Sequence, residues 1–287
     1  IVDFKGDCFA AIKNKDIIIH HPYESFDVVL RFLEQAAADP QALTIRQTLY
    51  RTSIDSPIVK ALVTAAENGK TVSALIEIKA RFDEENNIQL ARVLERAGVQ
   101  IAYGLVNKKI HAKLSLITRQ EAGQLTSYAH YGTGNYHPRN AKVYMDLSYF
   151  TCDKTLTNDA AKMFNYLTSY SEPTTIKKIV YSPITARNKL NELIRNEITN
   201  AGKNKPSGIV CKCNSLVDKQ IIDEFYKASQ KNVKIELLIR GICSLIPGKE
   251  NLSENIVVKS IIGRFLEHTR IYCCLLYTSP SPRDAYV

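Results

Sequence analysis

A histidine and a lysine two residues apart are the first residues of this sequence whose types suggest chemistry. They lie in the stretch KKIHAKLSLI, in which His111 is followed by Lys113. If this stretch is a β-strand, side chains alternate between its faces, so His111, Lys113 and Ser115 share one face and the apolar residues share the other. An imidazole and an ammonium side by side suit the binding of an anion. Taken alone, the motif fits a half-exposed strand without a function equally well.

The same arrangement occurs a second time along the chain. The segment 50–81 is similar to the segment 213–244, and beyond the second segment FLEHTRIY corresponds to KIHAKL. His268 therefore matches His111, and it too is followed two residues later by a basic residue, Arg270. Such an internal repeat predicts two similar structural units. We expect the two histidines to meet in one cleft between the halves.

Composition limits the class of protein. The chain of 287 residues is 45% hydrophobic and 23% charged, which is typical of a soluble globular protein. Its net charge of +9 attracts polyanions without identifying them. No apolar run is long enough to span a membrane. The start, IVDFKGDCFA, has neither an initiator methionine nor the features of a signal peptide, which indicates an internal fragment.

Cysteine usage indicates the compartment. The seven cysteines are scattered, and the only close pairs are Cys211 with Cys213 and Cys273 with Cys274. Without paired CxxC spacing, a zinc site is not expected. The odd number of cysteines and the lack of a signal peptide favour reduced thiols in a cytoplasmic protein.

The elements around the motifs alternate between strands and helices. Helices are predicted at 26–38, 57–68 and 86–98, with buried strands between them, and the stretches KIHAKLSLI and SYAHYGTGN are predicted as further strands. This order predicts an α/β fold in which each half is a mixed, largely parallel sheet flanked by helices. The predicted domains are 1–172 and 173–273, followed by a tail at 274–287.

Several longer stretches together resemble one family, the bacterial polyphosphate kinases that have two phospholipase-D-like C-terminal domains. The resemblance covers residues 1–273. It implies reversible, ATP-dependent growth of inorganic polyphosphate through a phosphorylated histidine, with Mg²⁺ as cofactor. The implied partners are ATP or ADP and polyphosphate; no nucleic acid is expected, and the full-length protein is expected to form homo-oligomers. The matching stretches are HHPYESFD, LYRTSIDSPIVKAL, ARFDEENNI, KIHAKL, YGTGNYHPRNAKVYMDLSYFT, PSGIVCKCNSLVD and LLIRGICSLIPG.

Three residues are candidates for catalysis, and the resemblance assigns two of them. His111 matches the phosphorylated nucleophile, and His268 matches a second essential histidine that also contacts the nucleotide. A neutral imidazole is a suitable nucleophile near pH 7, because its unperturbed pKa is about 6.5. Lys113 is expected to neutralise charge on the phosphate oxygens.

Five further residues are candidates for binding. Tyr144 and Arg240 match nucleotide-binding positions of the family, while Arg51 and Arg81 match its magnesium positions. An arginine has no lone pair at neutral pH, so we expect both of these to grip phosphate oxygens that magnesium also contacts. Asn135 ends the loop GTGN, whose backbone N–H groups suit a phosphate, although a plain tight turn explains that loop equally well.

The chain also departs from the family. Two domains that come first in the family are missing, and the second half stops soon after His268. The last residues, CLLYTSPSPRDAYV, have no strand periodicity and resemble translated sequencing adapter; a disordered Ser/Pro tail is the alternative. We therefore expect this chain alone to bind polyanions but not to synthesise polyphosphate.

Two other functions fit part of the pattern. A phospholipase-D-like phosphodiesterase or nuclease also pairs two such histidine motifs, but its motif has an aspartate five residues after the lysine, where this chain has Thr118. A non-catalytic polyanion-binding module fits the net charge. It does not account for two matched histidines.

Overall fold

Two compact units make up the chain. The computed structural model describes residues 4–50, 52–77, 84–104, 109–169 and 175–274. The first unit is Ile1–Ile179 and the second is Val180–Val287, whereas the sequence predicted a boundary after residue 172. Each unit contains a sheet with helices packed on it, so the predicted fold of two α/β halves is confirmed. All of the predicted tail except Cys274 lies outside the described residues.

The first unit is built on one mixed sheet with the strand order β1-β7-β6-β5-β2-β3-β4. Strands β2, β3 and β4 run parallel, and the remaining neighbours in this order are antiparallel. The prediction of a largely parallel sheet is therefore wrong for this unit. Its elements in chain order are α1 (Cys8–Asn14), β1 (Ile17–His21), α2 (Asp27–Ala38), β2 (Ala42–Leu49), α3 (Pro57–Glu67), β3 (Thr71–Ile76), α4 (Glu84–Arg96), β4 (Gln100–Tyr103), β5 (Leu114–Glu121), β6 (Gln124–Gly132), β7 (Tyr144–Thr151) and α5 (Lys154–Ser169).

Helix α3 shows how local sequence sets an element. Ser56 caps its N-terminus by accepting a hydrogen bond from the N–H of Ile58 at 3.3 Å, and Pro57 occupies the first turn, where a missing N–H is harmless. Gly69 follows the helix with a φ of +78°, a conformation that favours glycine. The chain therefore turns directly into β3.

Helices cover both faces of this sheet at β5. Residues of α1–α4 form one apolar cluster with one face, which includes Ile45 of β2 and Ile117 of β5. Helix α5 packs on β5 and β6, and Arg46, which points to the face opposite Ile45, donates to Asn165 of α5 at 2.9 Å. Because both faces are covered, the middle of β5 is inaccessible to solvent.

The second unit repeats part of this arrangement. Its sheet has the order β10-β9-β8-β12, with β8, β9 and β10 parallel and β12 antiparallel to β8. This is the order and direction of β4-β3-β2-β5, so the repeat seen in the sequence is a repeat of topology. No helix in the described part of the chain has the length and apolar character needed to cross a membrane. The elements are α6 (Ala186–Gly202), β8 (Gly208–Cys213), α7 (Lys219–Ser229), β9 (Lys234–Ile239), β10 (Ile256–Lys259), β11 (Leu266–Glu267) and β12 (Ile271–Cys274).

Candidate active site

His111 and Lys113 are in direct contact at the start of β5. Lys113 Nζ lies 2.9 Å from His111 Nδ1 and donates to the His111 carbonyl oxygen at 2.6 Å. The lysine is only 6% exposed, whereas the histidine is exposed. The imidazole is thus presented to solvent with a largely buried ammonium beside it. The two side chains lie together, as the sequence predicted.

The pair does not lie within a strand, and that part of the prediction is wrong. Strand β5 begins at Leu114, and residues 109–113 have no regular structure. The hydroxyl of Thr48 accepts a hydrogen bond from the N–H of Leu114 at 2.9 Å, so a side chain takes the place of the backbone ladder with β2. The predicted alternation also fails inside β5. Residues 114–117 are all buried, because both faces of the sheet are covered.

An aromatic ring packs against both members of the pair. Tyr50 directly follows β2, and its ring centroid lies 5.7 Å from that of His111 in an edge-on arrangement. Lys113 Nζ lies 5.4 Å from the centre of the same ring, which is a cation–π distance. The ring therefore restrains both side chains. The sequence gave no separate indication of this role for Tyr50.

The glycine loop after β6 lies against the backbone of Lys113. Gly132 donates its N–H to the Lys113 carbonyl oxygen at 2.9 Å. Thr133 donates its hydroxyl to buried Asp146 at 2.7 Å, and a side chain at Gly134 would collide with the same carboxylate. Asn135 is half-buried, and its Oδ1 has no hydrogen-bond partner among the described residues. The loop is therefore a packed part of the unit.

His130, in the strand that leads into this loop, is buried rather than exposed. Its Nδ1 lies 2.7 Å from the hydroxyl of Tyr136, which is also buried. Burial lowers the pKa of His130 to about 3, with a smaller contribution from the charge of His21. His130 is thus a neutral ring that supports the loop. The sequence gave no indication of Tyr136.

Tyr144 begins strand β7 and is half-buried. His20 and His21 lie in β1. His21 is 2% exposed and contacts the Ser148 hydroxyl through Nε2 at 2.9 Å. The role of Tyr144 in nucleotide binding stays a prediction.

The second unit places His268 three residues before the start of β12, and the first places His111 three residues before the start of β5. His268 is 8% exposed, and Arg270 donates to its carbonyl oxygen at 3.2 Å. This bond repeats the one from Lys113 to the His111 carbonyl. The histidine and basic residue found twice in the sequence therefore have equivalent local structures.

Arg240 lines a cavity of about 410 Å³ in the second unit, together with Asn214, Ser215, Gly241 and the segment 261–267. Its Nε donates to the Asn214 side-chain oxygen at 2.9 Å. Arg240 directly follows β9, the position that Glu77 holds after β3. Glu77 accepts a hydrogen bond from the N–H of Ile110 at 2.7 Å. The arginine is therefore held at the cavity by a neutral amide.

Arg51 and Arg81 lie outside the described residues, so their placement is not part of the site geometry. Next to Arg51 in the chain, a polar cavity of about 330 Å³ is lined by residues 52–55, Asn86, Asn87 and His137. Hydroxyl, amide and carboxylate oxygens predominate among its polar groups. Within the ranges that the structure describes, no group of three or more His, Cys, Asp or Glu residues is arranged to hold a metal.

Two family descriptions match the chain. Residues 7–173 match the family described as polyphosphate kinase C-terminal domain 1, and residues 179–281 match polyphosphate kinase C-terminal domain 2. The polyphosphate kinase of Erythrobacter litoralis is 54% identical over 272 residues, which are 95% of this chain and 38% of that protein. The polyphosphate kinase of Synechocystis is 52% identical over 267 residues, 93% of this chain and 37% of that protein. The chain thus spans less than two-fifths of the length of these relatives.

Solved structures give a similar result. The crystal structure of polyphosphate kinase from Porphyromonas gingivalis matches with a TM-score of 0.85 and 37% identity, covering 92% of this chain and 44% of that one. Phosphatidylserine synthase from Haemophilus influenzae matches with a TM-score of 0.55 at 10% identity, over 91% of this chain and 76% of that one. The second likeness concerns the fold alone.

Proposed function

This chain belongs to the polyphosphate kinase family, and we propose that it is the catalytic core of an enzyme that transfers the γ-phosphate of ATP reversibly to inorganic polyphosphate through a phosphohistidine at His111. The observation that carries the proposal is the contact of an exposed imidazole with the ammonium of Lys113, 2.9 Å from Nδ1. A nucleophile must reach the phosphorus atom, and the charge on the transferred group must be neutralised. These two side chains supply both requirements.

The reaction has two balanced steps. A ring nitrogen of neutral His111 forms a bond to the γ-phosphorus while the bond from that phosphorus to the bridging oxygen breaks, and ADP leaves with the electron pair. A terminal oxygen of polyphosphate then attacks the same phosphorus and releases the imidazole. In both steps Lys113 stabilises negative charge on the non-bridging oxygens. Each step exchanges one reactive bond to phosphorus for another, P–O for P–N and then P–N for P–O, so both steps can run in reverse.

The second unit is proposed to bind the polyanionic substrates. Arg240, held by Asn214 at the cavity of about 410 Å³, offers a guanidinium suited to paired contacts with phosphate oxygens. We propose that His268 stabilises or protonates the leaving group, and that Tyr144 of the first unit contacts the base. Asn135 and the glycine loop are proposed to contact phosphate oxygens.

Magnesium is the proposed cofactor, and the donor set in the first unit fits it. Mg²⁺ prefers oxygen ligands and is held by one or two carboxylates together with substrate phosphates. Asp55, with the hydroxyls of Thr52 and Ser53, supplies such oxygens at the cavity of about 330 Å³. When bound, the ion neutralises charge on the phosphate oxygens. Arg51 and Arg81 are proposed to grip those oxygens, because a guanidinium cannot act as a metal ligand.

The compartment and assembly are also proposals. All seven cysteines are free thiols, which fits a reducing compartment, and we propose a cytoplasmic location. The expected homo-oligomer stays a prediction for the full-length protein, as does the expectation that this segment alone does not synthesise polyphosphate.

Thr118 argues against the phosphodiesterase alternative. It occupies the position five residues after Lys113, where that reaction motif has an aspartate. Its hydroxyl lies 3.1 Å from the hydroxyl of Ser127 on the neighbouring strand. A pair of neutral hydroxyls cannot supply the carboxylate.

The test is to look for the covalent intermediate. We expect the full-length protein, incubated with γ-labelled ATP and magnesium, to acquire acid-labile, alkali-stable phosphate on His111, and His111→Ala to acquire none. His20→Ala, a change at a partly exposed histidine that packs on Tyr23, is the matched control and should label normally. Equal labelling of His111→Ala and the control would refute the proposal. Cleavage of a phosphodiester substrate without labelling from ATP would favour the alternative.

A further inference from the structure

Three polar side chains form a row across the middle of the first unit's sheet. Gln47 of β2 is paired with Ser115 of β5, and Ser115 is paired with His130 of β6. Residues directly opposite one another in a sheet point to the same face. All three are at most 2% exposed. Burying polar groups is unfavourable unless they are hydrogen-bonded, so a row of three in one core calls for a physical reason.

The row separates the apolar core from Lys113. On one side, the next paired residues on the same face are Ile117 and Tyr128, both fully buried. On the other side, Gly132 donates its N–H to the carbonyl oxygen of Lys113. The polar row is therefore adjacent to the start of β5, which follows Lys113, and to the end of β6, which leads into the glycine loop.

Tyr136 reaches this row from the loop after β6. Its hydroxyl lies 2.7 Å from His130 Nδ1, and the two rings meet edge-on with centroids 5.3 Å apart. Burial raises the pKa of Tyr136 far above its usual value, with a smaller opposing effect from a hydrogen bond with Gln47, while burial holds the pKa of His130 near 3. At neutral pH the phenol keeps its proton and the imidazole is neutral. A hydrogen bond between two neutral groups therefore joins the hydroxyl to Nδ1, with its direction set by the tautomer of His130.

The loop that contains Tyr136 is also bonded to two other parts of the unit, at Thr52 and at Asp146. The carbonyl oxygen of Tyr136 accepts a hydrogen bond from the Thr52 hydroxyl at 3.4 Å, next to the magnesium-related position Arg51 in the chain. Earlier in the loop, Thr133 is bonded to Asp146 at 2.7 Å. Residues 132–137 are thus attached to the sheet at both ends.

We propose that Tyr136 is a positioning residue of the phosphoryl-transfer site: its hydroxyl, bonded to His130, holds residues 132–137 in place beside the backbone of Lys113 and beside Thr52. The proposal rests on the proposed function, because it is the transfer to His111 that this positioning serves. Displacement of a supporting segment by about 1 Å is enough to lower a rate by about 10²-fold. Loss of one buried hydroxyl should therefore affect the rate without removing any group that touches the substrate.

The test is Tyr136→Phe, compared with Tyr128→Phe as a matched control. Tyr128 is equally buried and donates its hydroxyl to Glu121 at 2.6 Å, away from the loop. We expect Tyr136→Phe to slow phosphorylation of His111 by about tenfold or more, with the KM for ATP changed by less than about twofold. Tyr128→Phe should keep the normal rate. In nitrogen-15 spectra only Tyr136→Phe should shift the Nδ1 resonance of His130 and the amide resonances of 132–137.

Each outcome decides the proposal. An equal loss of rate in both variants would assign the effect to general stability and overturn it, as would a normal rate in Tyr136→Phe despite a shifted His130 resonance. Unshifted loop amides in Tyr136→Phe would also overturn it. If the unaltered protein takes no label at all, the proposed function fails. The resonance comparison, which requires no activity, still decides whether Tyr136 positions the loop.

Discussion

The two units place a histidine in the same local structure but give it different access to solvent. In each, the histidine lies three residues before the strand that runs antiparallel to the first strand of the repeat, and a basic residue bonds to its carbonyl oxygen. Lys113 makes this bond at 2.6 Å and Arg270 at 3.2 Å. His111 is exposed, whereas His268 is only 8% exposed. The solvent exposure of the basic residues differs in the opposite sense: Lys113 is buried and Arg270 is partly exposed.

This difference suggests a division of labour between repeats of common topology. A covalent nucleophile must meet two substrates in turn, so it has to be accessible, while the charge beside it is most effective where water is excluded. The first unit has that combination. The second has a shielded histidine and an accessible guanidinium, which suit binding and support of a leaving group. We therefore expect equivalent substitutions in the two units to have unequal effects.

The largest difference in the rate of phosphoenzyme formation is expected between substitutions of the two histidines. His111→Gln should lower formation of the phosphoenzyme by more than about 10³-fold, because the attacking atom is lost. His268→Gln should still form it, at a reduced rate. Single-turnover incorporation of label from ATP measures both. Label retained in His111→Gln but lost in His268→Gln would reverse the roles of the two units.

The basic residues that follow the two histidines should show the second-largest difference in the rate of phosphoenzyme formation. Lys113→Met removes a buried ammonium adjacent to the reacting ring, and we expect phosphoenzyme formation to fall by about 10–100-fold. Arg270→Met removes a partly exposed charge and should cost only a few-fold. Rates at saturating ATP separate these effects from nucleotide affinity. Equal losses would show that burial of the cation does not distinguish the sites.

Ion pairs of the two units should contribute unequally to stability. Arg119 is 15% exposed, bonds to Asp39 at 2.7 Å and stacks on the ring of Phe9, so Arg119→Met should lower the free energy of unfolding by about 2–4 kcal/mol. Arg195 is 66% exposed where it pairs with Glu224. Arg195→Met should cost less than about 1 kcal/mol. Urea denaturation of both variants measures the difference, and similar values would contradict it.

Two buried carboxyls differ in their response to acid. Burial raises the pKa of Asp159, but hydrogen bonds from the N–H groups of residues 177–179 outweigh this and leave it below its usual value. Burial raises the pKa of Glu197, and the N–H of Gly208 at 3.0 Å opposes this only in part. Asp159 therefore stabilises the fold above its unfolded pKa of about 3.9, and this contribution is lost as the pH falls through its folded pKa. Glu197 does the reverse, and its contribution is lost as the pH rises from about 4.3 to its folded pKa.

The smallest expected effects concern stability, and they follow from the opposite pKa shifts of Asp159 and Glu197. Asp159→Asn should destabilise the protein by about 1–3 kcal/mol at pH 7, because three backbone N–H groups lose a charged acceptor. Glu197→Gln should be neutral or stabilising at the same pH. Melting temperatures recorded between pH 3 and pH 8 test both, and the deficit of Asp159→Asn should shrink at the acid end. A deficit that grows with acid would show that the sign is wrong.

The sequence predicted the repeat well because its signals are local. Proline at the first turn and glycine after the last turn set the bounds of α3, which was predicted at 57–68 and ends at Glu67. The match between the segments 50–81 and 213–244 holds in the structure, since α3 and β3 correspond to α7 and β9. Local signals of this kind do not depend on contacts with distant parts of the chain.

What the sequence missed depends on partners that are distant along the chain. The direction of neighbouring strands in the first unit is set by which strands meet, and no local pattern of side chains records that. Alternation failed in β5 because helices cover both faces, so Ser115 is as buried as Leu116. Tyr136 was missed because a tyrosine next to a glycine loop has no periodic pattern, and its partner His130 lies in a preceding strand.

The position of β5 has a consequence for how the protein folds. The backbone of Leu114 bonds to Thr48, 66 residues earlier, while its strand also pairs with β6, which comes after it. Contacts between distant residues form slowly, because the entropy of closing the intervening chain must be overcome first. We infer that His111 and Lys113 reach their final arrangement late, after the parallel strands and their helices have assembled. A partly folded chain would then contain the histidine motif without the contact between His111 and Lys113.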